Sequence, residues 1–534
     1  MCGFSLAITK NKLDDLSFLD NIKHRGPDDR QFISMCFNNF YINLVFYRLS
    51  IIDLENGKQP FLYETSNEIN IFVCNGEIYN YKDLAHKYNL KTHSDCKVLF
   101  DLLLNSKNEK SVMKEIDGEF AFAWIKLDLL KENITVQFCR DRFGIRPLFY
   151  SLENDNLFIS SEMKGLPERK GKEVEPRYLY LFRQGYDLLT FEYYNLLFKP
   201  SELFDENEIY SRVKKTLIKS VKNRLQSERP LGALLSGGLD SSLVCGIASK
   251  ILREEKNEKL HTFSIGMTKD SPDLIYARKV AEYIDSNHHE IIIPVDIWLE
   301  TLDDVIKQIE TYDITTIRAS TAQYLLAKWI KENTDIKVLL NGDGSDEITS
   351  GYLYFYNTPN SIISHLENLE LLKNIHKYDV LRVDRTISAF GLEARVPFLQ
   401  HHFVDLYLSI DKNLRYPIKF KRPEKYLLRK AFENDRIIPE EVLNRTKEAF
   451  SDGCSSLSKS WYEYITEYVE SQITDEEFKD NEKNFPSKES LYYYKKFLET
   501  HPNSNLEVKY WLPSWTTEHK GNPSARVLNI YNEN

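Results

Sequence analysis

The hydrophobic pattern of the chain changes across residues 196–208, and this change limits the folds that it can adopt. Before it, segments that alternate apolar and polar residues or run apolar predict β-strands, among them FSLAIT (4–9), NLVFYRLSIIDL (43–54) and INIFVCNG (69–76). Few long helical patterns interrupt these strands. The first part is therefore predicted to be an antiparallel, β-rich α+β domain over residues 1–190, followed by a linker at 196–208.

The pattern after the linker is typical of an α/β domain. Apolar residues at 209, 213, 217, 221 and 225 predict an amphipathic helix, and LGALL (231–235) predicts a strand that runs into SGGLDSS. Further strands alternate with helices, which indicates a buried parallel sheet with ligands at the carboxyl ends of its strands. The region from 355 onwards is predicted to be mostly helical. The second domain is predicted over 208–534, with the tail after about residue 500 left unassigned.

The composition of the chain argues against several classes of protein. The net charge of −10 argues against a nucleic-acid partner, and no apolar run is long enough to cross a membrane. The seven cysteines form no CxxC pair, so neither a zinc site nor a disulfide framework is indicated. We expect a cytoplasmic protein.

Cys2 is the first candidate catalytic residue. A cysteine in second place usually means nothing, but removal of Met1 would make its thiolate a nucleophile and its own α-amine a general base. The motifs HRGPDD (24–29), RLSIID (48–53), NGEIYN (75–80), SDCKVLF (94–100) and RDRFGIRPLFY (140–150) follow in order. Together with Cys2 they resemble the class II glutamine amidotransferases, whose fold is of the N-terminal nucleophile type.

That resemblance implies a role for each motif. The Asn75 side chain and the Gly76 N–H are expected to stabilise an oxyanion, Arg48 to bind the glutamine carboxylate, and Asp95 to bind its ammonium group. An ordinary surface charge is the alternative for Arg48 and Asp95. The whole glutamine-binding set implied in this way is Arg48, Leu49, Ser50, Ile51, Ile52, Asn75, Gly76, Glu77 and Asp95.

Two glycine-rich loops indicate a second reaction centre. SGGLDSS (236–242) lies between a strand and a helix, where loop N–H groups bind anions, and it lacks the GK[ST] ending of a Walker A loop. It resembles the pyrophosphate loop of enzymes that cleave ATP to AMP and pyrophosphate. Asp240, together with Asp346 of NGDGSDE (341–347), is predicted to bind Mg²⁺. Simple turns are the alternative for both loops.

Motifs further along the chain resemble the glutamine-hydrolysing asparagine synthetases; they are ETYDITTIRAST (310–321), GYLYF (351–355), SAFGLEARVPFL (388–399), EKYLLRKAF (424–432) and KEAFSDG (447–453). By this resemblance, Thr315, Thr316 and Arg318 are expected to bind aspartate. The implied ATP-binding residues are Leu235, Ser236, Gly237, Gly238, Asp240, Ser241, Ser242, Ile265, Asn341, Gly342 and Lys447.

One motif departs from the family. The family usually has SGEGSDE where this chain has NGDGSDE, so Asp343 replaces the glutamate that is tied to acyl-adenylate formation. Aspartate keeps the charge but is one methylene shorter. We expect Asp343 to keep a catalytic part in the synthetase step.

The resemblance implies glutamine-dependent synthesis of asparagine from aspartate and ATP with Mg²⁺, through β-aspartyl-AMP, giving AMP, pyrophosphate and glutamate. It leaves a homodimer open. Three alternatives also stay open: a related amidotransferase or synthetase acting on another carboxylate, an enzyme that uses free ammonia directly, and a non-catalytic scaffold.

Overall fold

The computed structural model describes residues 1–196, 205–418, 421–447, 453–510, 513 and 515. Within them the chain forms two antiparallel sheets up to Glu192 and one parallel sheet from Leu231 onwards. The fold class predicted from the sequence is confirmed. The predicted linker lies mostly outside the described residues.

The first part holds the antiparallel sheets and three helices. Its strands are β1 (Gly3–Thr9), β2 (Asp29–Phe37), β3 (Phe40–Arg48), β4 (Phe61–Glu64), β5 (Glu68–Ile78), β6 (Gly118–Asp128), β7 (Asn133–Arg140), β8 (Phe149–Glu153), β9 (Asn156–Ser160), β10 (Lys172–Glu173), β11 (Tyr178–Arg183) and β12 (Leu189–Glu192). Its α-helices are α1 (Tyr81–Tyr88), α2 (Asp95–Asn105) and α3 (Glu109–Glu115), with 3₁₀ helices at Ser17–Arg25, Met163–Gly165 and Pro167–Arg169.

The two sheets pack face to face. Their strand orders are β10-β8-β9-β1-β3-β2 and β12-β11-β7-β6-β5-β4, and β1 pairs with β3 so that Ser5 lies opposite Val45. Apolar side chains from β1, β3, β5, β6 and β7 form one buried cluster between the sheets. A second cluster holds α1–α3 against the outer face of the second sheet. This sandwich fixes Cys2 directly before β1 and Asn75 within β5.

The strand predicted over 43–54 ends earlier than expected, at Arg48. The Arg48 guanidinium donates to the carbonyl oxygens of Asp53 at 2.7 Å and Leu54 at 3.0 Å, which folds the following residues back into a loop. Leu49 and Ile51 of that loop are buried against Val338, a residue of the second part. Their apolar character therefore reflects a contact between the two parts and not strand pairing.

The second part holds the parallel sheet and most of the helices. Its strands are β13 (Leu231–Leu234), β14 (His261–Gly266), β15 (Asn287–Ile292), β16 (Val338–Leu340) and β17 (Glu393–Arg395). Its α-helices are α4 (Glu206–Arg224), α5 (Leu239–Lys256), α6 (Pro272–Tyr283), α7 (Val295–Ile309), α8 (Ile314–Asn333), α9 (Ser345–Thr349), α10 (Ser361–Asn374), α11 (Asp379–Ser388), α12 (His401–Ser409), α13 (Lys412–Arg415), α14 (Tyr426–Phe432), α15 (Glu440–Leu443), α16 (Trp461–Glu470), α17 (Asp475–Asn481) and α18 (Lys488–Thr500). Short 3₁₀ helices lie at Leu353–Asn357, Ile375–Lys377 and Pro397–Leu399.

Helix α4 follows the predicted hydrophobic spacing, and its side chains at 209, 213, 217 and 221 are all buried. It begins at Glu206, inside the predicted linker, because the Asp205 side chain caps it by accepting from the Glu208 N–H at 2.9 Å.

The parallel sheet has the order β15-β14-β13-β16-β17. Each predicted glycine-rich loop follows one of its two neighbouring central strands: 235–238 follows β13, and 341–344 follows β16. The two loops therefore lie side by side at the carboxyl edge of the sheet. No helix in the described part of the chain is long and apolar enough to span a membrane.

Candidate active site

Cys2 lies at the junction of the two parts of the molecule. Its Sγ is 3.4 Å from the amide nitrogen of Leu49, which donates to it, and its carbonyl oxygen accepts from Arg25 Nε at 2.9 Å. Burial raises the pKa of the thiol to about 11. A thiol with that pKa is protonated at neutral pH, so it needs a nearby base before it can attack.

Met1 precedes this thiol and is fully buried. Its α-amine donates to the carbonyl oxygen of Leu392 at 3.0 Å, and burial lowers the pKa of that amine to about 5. An amine buried here is neutral at pH 7 and can accept a proton. The base predicted from the sequence is the Cys2 amine, which exists only after Met1 is removed, so that assignment stays a prediction.

Asn75 has the features expected of an oxyanion donor. Both the Oδ1 and the Nδ2 atoms of its buried side chain lack a hydrogen-bond partner among the described residues. Leaving a buried polar group unpaired costs on the order of 1–3 kcal/mol, so such a group needs an explanation. Gly76 follows with φ of 152°, and a Cβ there would lie 2.1 Å from the Glu119 carbonyl oxygen. Only glycine therefore fits at position 76, next to Asn75.

The residues predicted to hold glutamine fall into two groups. Leu49, Ile51 and Ile52 share a small apolar cluster with Cys2, so the loop after β3 forms one wall around the thiol. Arg48 is buried and anchors this loop through the two carbonyl bonds already described, and the Ser50 N–H donates to Asp28 at 2.8 Å. The structure brings these residues together around the thiol, and their assignment to glutamine stays a prediction.

Asp95 and Glu77 belong to the second group, on α2 and β5. Asp95 accepts from the Ile78 N–H at 2.8 Å, and burial raises its pKa to about 6. Burial also raises the pKa of Glu77, whose carboxylate lies 3.2 Å from the Arg395 guanidinium. Arg395 also contacts Glu393 at 2.8 Å. Strand β17 thus reaches from the parallel sheet to the residues that are predicted to bind glutamine.

The second candidate centre is a cavity at the carboxyl edge of the parallel sheet. Its lining includes nine of the predicted ATP-binding residues, namely Leu235, Ser236, Gly238, Asp240, Ser241, Ile265, Asn341, Gly342 and Lys447. Gly237 and Ser242 do not line it. Gly237 instead lets the loop approach α6, because a Cβ there would lie 2.5 Å from the Ala277 nitrogen. The loops touch at Gly342, where a Cβ would lie 2.7 Å from the Ser241 nitrogen.

Two carboxylates and two ammonium groups form the charged floor of this cavity. Asp240 contacts Lys425 and accepts from the Ser345 hydroxyl at 2.7 Å. Asp346 contacts both Lys425 and Lys447 at 2.7 Å. Burial alone would raise the pKa of Asp346, but the two ammonium groups lower it to about 2. Asp346 is therefore ionised throughout the physiological range.

Two carboxylates suit Mg²⁺, which is usually bound by one or two carboxylates together with substrate phosphates. Asp240 and Asp346 share Lys425 as a partner, so their oxygens face one small region of the cavity. Within the described residues no group of three or more His, Cys, Asp or Glu side chains could hold a metal ion. The two carboxylates fit an ion whose other ligands are substrate phosphates and water.

Asp343 lines the same cavity. Its carboxylate lies 2.9 Å from Arg382 of α11, and burial raises its pKa. Arg382 also contacts Asp379 at 2.9 Å. The Asp343 carboxylate therefore faces the cavity and has Arg382 as a fixed cationic partner, although its side chain is one methylene shorter than glutamate.

Thr315, Thr316 and Arg318 are not brought to this cavity. Both threonine hydroxyls donate to Asp313, which caps α8, at 2.9 and 2.7 Å. Arg318 makes two bonds to Glu489, at 2.8 and 2.5 Å, so its charge is already paired. The assignment of aspartate to these three residues stays a prediction, with the geometry giving it no support.

Some charged residues at the two sites were not singled out from the sequence, namely Arg25, Arg382, Glu393, Arg395 and Lys425. All but Arg382 lie within the motifs described in the sequence analysis. The motifs therefore pointed to these positions, but not to the residues that they contact. Those partners are distant in the chain: Lys425 and Asp240 are 185 residues apart. The predicted motif 447–453 lies largely outside the described residues, apart from Lys447 and Gly453.

Comparison with known proteins covers both parts of the chain. The model of the glutamine amidotransferase domain matches residues 1–191, and that of asparagine synthase matches residues 212–373 and 364–525. The chain is 38% identical to the asparagine synthetase [glutamine-hydrolyzing] of Cricetulus griseus and to that of Homo sapiens, each over 99% of both chains. It is also 38% identical to a probable asparagine synthetase [glutamine-hydrolyzing] of Acanthamoeba polyphaga mimivirus, over 96% of both chains.

Proposed function

The chain belongs to the glutamine-hydrolysing asparagine synthetase family, and from this premise we propose how its residues divide the reaction between two centres. The activity itself is glutamine-dependent asparagine synthesis. The first centre, within residues 1–190, releases ammonia from glutamine. The second, within residues 208–534, activates aspartate with ATP and captures the ammonia.

At the first centre Cys2 Sγ attacks the amide carbon of glutamine once the Cys2 α-amine has taken the thiol proton. The unpaired Asn75 amide and the Gly76 N–H stabilise the resulting oxyanion. Ammonia leaves, and water then hydrolyses the thioester to glutamate. Arg48 and Asp95 hold the carboxylate and the ammonium group of glutamine during these steps.

At the second centre the loops after β13 and β16 cradle the phosphates of ATP. The β-carboxylate of aspartate attacks the α-phosphorus, which gives β-aspartyl-AMP and releases pyrophosphate. Lys425 and Lys447 balance negative charge at the phosphates, while Asp240 and Asp346 would hold Mg²⁺, which supplies further charge neutralisation. Ammonia then attacks the acyl carbon, and asparagine and AMP leave.

The observation that carries this proposal is the pairing of two separate loops through one lysine. Asp240 follows β13 and Asp346 follows β16, yet Lys425 contacts both carboxylates in a cavity lined by the predicted nucleotide residues. If the two loops were simple turns, their conformation would not require a buried lysine shared by two carboxylates.

The direct test is product analysis. The protein is incubated with glutamine, aspartate, ATP and Mg²⁺, and asparagine, glutamate, AMP and pyrophosphate are quantified. Equal amounts of asparagine, AMP and pyrophosphate are expected. ADP and phosphate in their place would contradict adenylation, an amidated product other than asparagine would indicate another carboxylate substrate, and no product would favour a scaffold. Omission of Mg²⁺ should abolish pyrophosphate release.

Asp343 gives a sharper prediction about the second centre. We expect Asp343→Ala to lower ammonia-driven synthesis about a hundredfold, because the cavity loses the carboxylate that is proposed to act in the synthetase step and that Arg382 holds in place. Asp343→Glu should match or exceed the wild type, since it restores the length usual in the family. Steady-state rates with ammonia, aspartate and ATP measure both variants. Full activity of the alanine variant would show that Asp343 has no part in the chemistry.

We also propose a domain boundary between residues 190 and 208, a cytoplasmic location, a homodimer, and no nucleic-acid or membrane partner. The net charge of −10 supports the absence of a nucleic-acid partner.

A further inference from the structure

Helix α11 belongs to the second part of the molecule but reaches the nucleophile of the first. The two carboxylate oxygens of Asp384 accept from Arg25 Nη1 at 2.7 Å and from Nη2 at 3.0 Å. The Nε of the same guanidinium donates to the carbonyl oxygen of Cys2 at 2.9 Å. One arginine side chain therefore separates Asp384 from the backbone of the catalytic thiol.

Arg25 has little freedom to move. Its side chain is fully buried, and Nη1 also donates to Glu162 at 2.6 Å and to the Ser388 hydroxyl at 3.1 Å. Gly3 makes room for it, because a Cβ at residue 3 would lie 2.9 Å from Arg25 Cδ. A two-pronged bond between a guanidinium and a carboxylate fixes direction as well as charge. Asp384 is therefore one of the three side chains that fix the position of Arg25, and it is the one that binds both terminal nitrogens of the guanidinium.

We propose that Asp384 is a positioning residue for glutamine hydrolysis, supplied by the ATP-using domain, and that it acts by orienting Arg25 and through it the Cys2 backbone. This inference rests on the proposed function only in taking Cys2 as the nucleophile. A displacement of a catalytic group by about 1 Å can cost a hundredfold in rate, so the loss of this support is expected to be measurable.

The same helix also touches the other centre. Arg382, two residues before Asp384, contacts Asp343 in the ATP cavity at 2.9 Å. Helix α11 is ten residues long, so both contacts come from one rigid element. A shift of α11 at Arg382 would therefore also move Asp384, and with it one carboxylate partner of Arg25.

The Asp384→Asn variant removes the charge and keeps the shape. Arg25 would retain Glu162 as a carboxylate partner. The other cations near Asp384 also keep partners, because Arg385 contacts Glu310 at 3.3 Å and Arg146 contacts Glu119 at 3.0 Å. The variant is therefore expected to fold.

The experiment compares full-length wild type, Asp384→Asn and a matched control, Asp435→Asn. Asp435 forms an ion pair of the same 2.7 Å length with Lys214, within the second domain. For Asp384→Asn, kcat for glutamine hydrolysis should fall ten- to a hundredfold, with KM for glutamine changed less than twofold. Ammonia-dependent synthesis should change less than threefold, and the control should match wild type in all three measurements.

Two results would overturn the inference: unchanged glutamine hydrolysis by folded Asp384→Asn, or equal loss of glutamine- and ammonia-dependent activity. If that variant does not fold, Ser388→Ala removes one bond to Arg25 without removing a charge. It should lower kcat for hydrolysis several-fold, and an unchanged kcat would then reject the inference. A Cys2→Ala variant distinguishes failure of the proposed function from failure of this inference. If hydrolysis survives in that variant, the proposed nucleophile is wrong, and not merely the role of Asp384.

Discussion

Replacing Cys2 with alanine is expected to abolish glutamine hydrolysis and glutamine-dependent asparagine synthesis while ammonia-dependent synthesis stays within about twofold of wild type. The thiol is the only proposed nucleophile at the first centre, and without it attack on the amide carbon has no covalent route. Losses of a thousandfold or more are usual when a nucleophile is removed. Cys2 does not line the cavity that is proposed to bind ATP, so that cavity should keep its function.

The measurements are glutamate release, and asparagine formation with either nitrogen source. Cys36→Ala is the matched control, because Cys36 is an exposed cysteine on β2 of the same domain. It should behave as wild type. If Cys2→Ala also loses ammonia-dependent synthesis, the two centres are not separate. If it still hydrolyses glutamine, the nucleophile lies elsewhere.

The Asp240→Asn variant should show the opposite pattern. Pyrophosphate release should fall at least a hundredfold, because the change removes one of two carboxylates proposed to hold Mg²⁺ and leaves buried Lys425 with one carboxylate fewer. Glutamine hydrolysis should remain within about threefold of wild type. Pyrophosphate and glutamate are measured in parallel on the same preparation.

A control for the loss of charge alone is Asp285→Asn, which breaks an exposed ion pair with Lys259 in the same domain. That variant is expected to keep both activities. Unchanged pyrophosphate release by Asp240→Asn would show that Asp240 only closes the turn before α5. Raised Mg²⁺ should recover part of the lost rate if Asp240 acts through the metal.

Local patterns carried the prediction of the fold because they depend on residues close together in the chain. The strand predicted at 231–235 is β13, and the spacing from 209 onwards is α4, since each pattern reflects one buried face. The strand predicted at 43–54 was too long. Its second half is apolar because it packs against Val338, and no pattern within twelve residues carries that information.

For the candidate sites, the sequence predicted the residues that lie within recognisable motifs, but not the distant residues that contact them. The sequence gives the charge of Arg318, but not that Glu489, 171 residues later, pairs with it. In the same way, Asp240 and Asp346 were predicted, while Lys425 between them was not. Motif matches identify the chemistry of single residues, whereas the partners that set their charge and direction depend on the tertiary fold.

The ion pairs between the two parts also bear on the order of events on the ribosome. Arg25 can pair with Glu162 early, but its second carboxylate partner, Asp384, is made 359 residues after it, and Glu77 waits for Arg395 of β17. At roughly 5–20 residues per second this interval lasts about 20–70 s. Buried charges without partners are costly, so the nascent first domain completes its site only after the ATP-using domain has emerged. A half-made chain is therefore expected to hydrolyse glutamine more slowly than the complete protein.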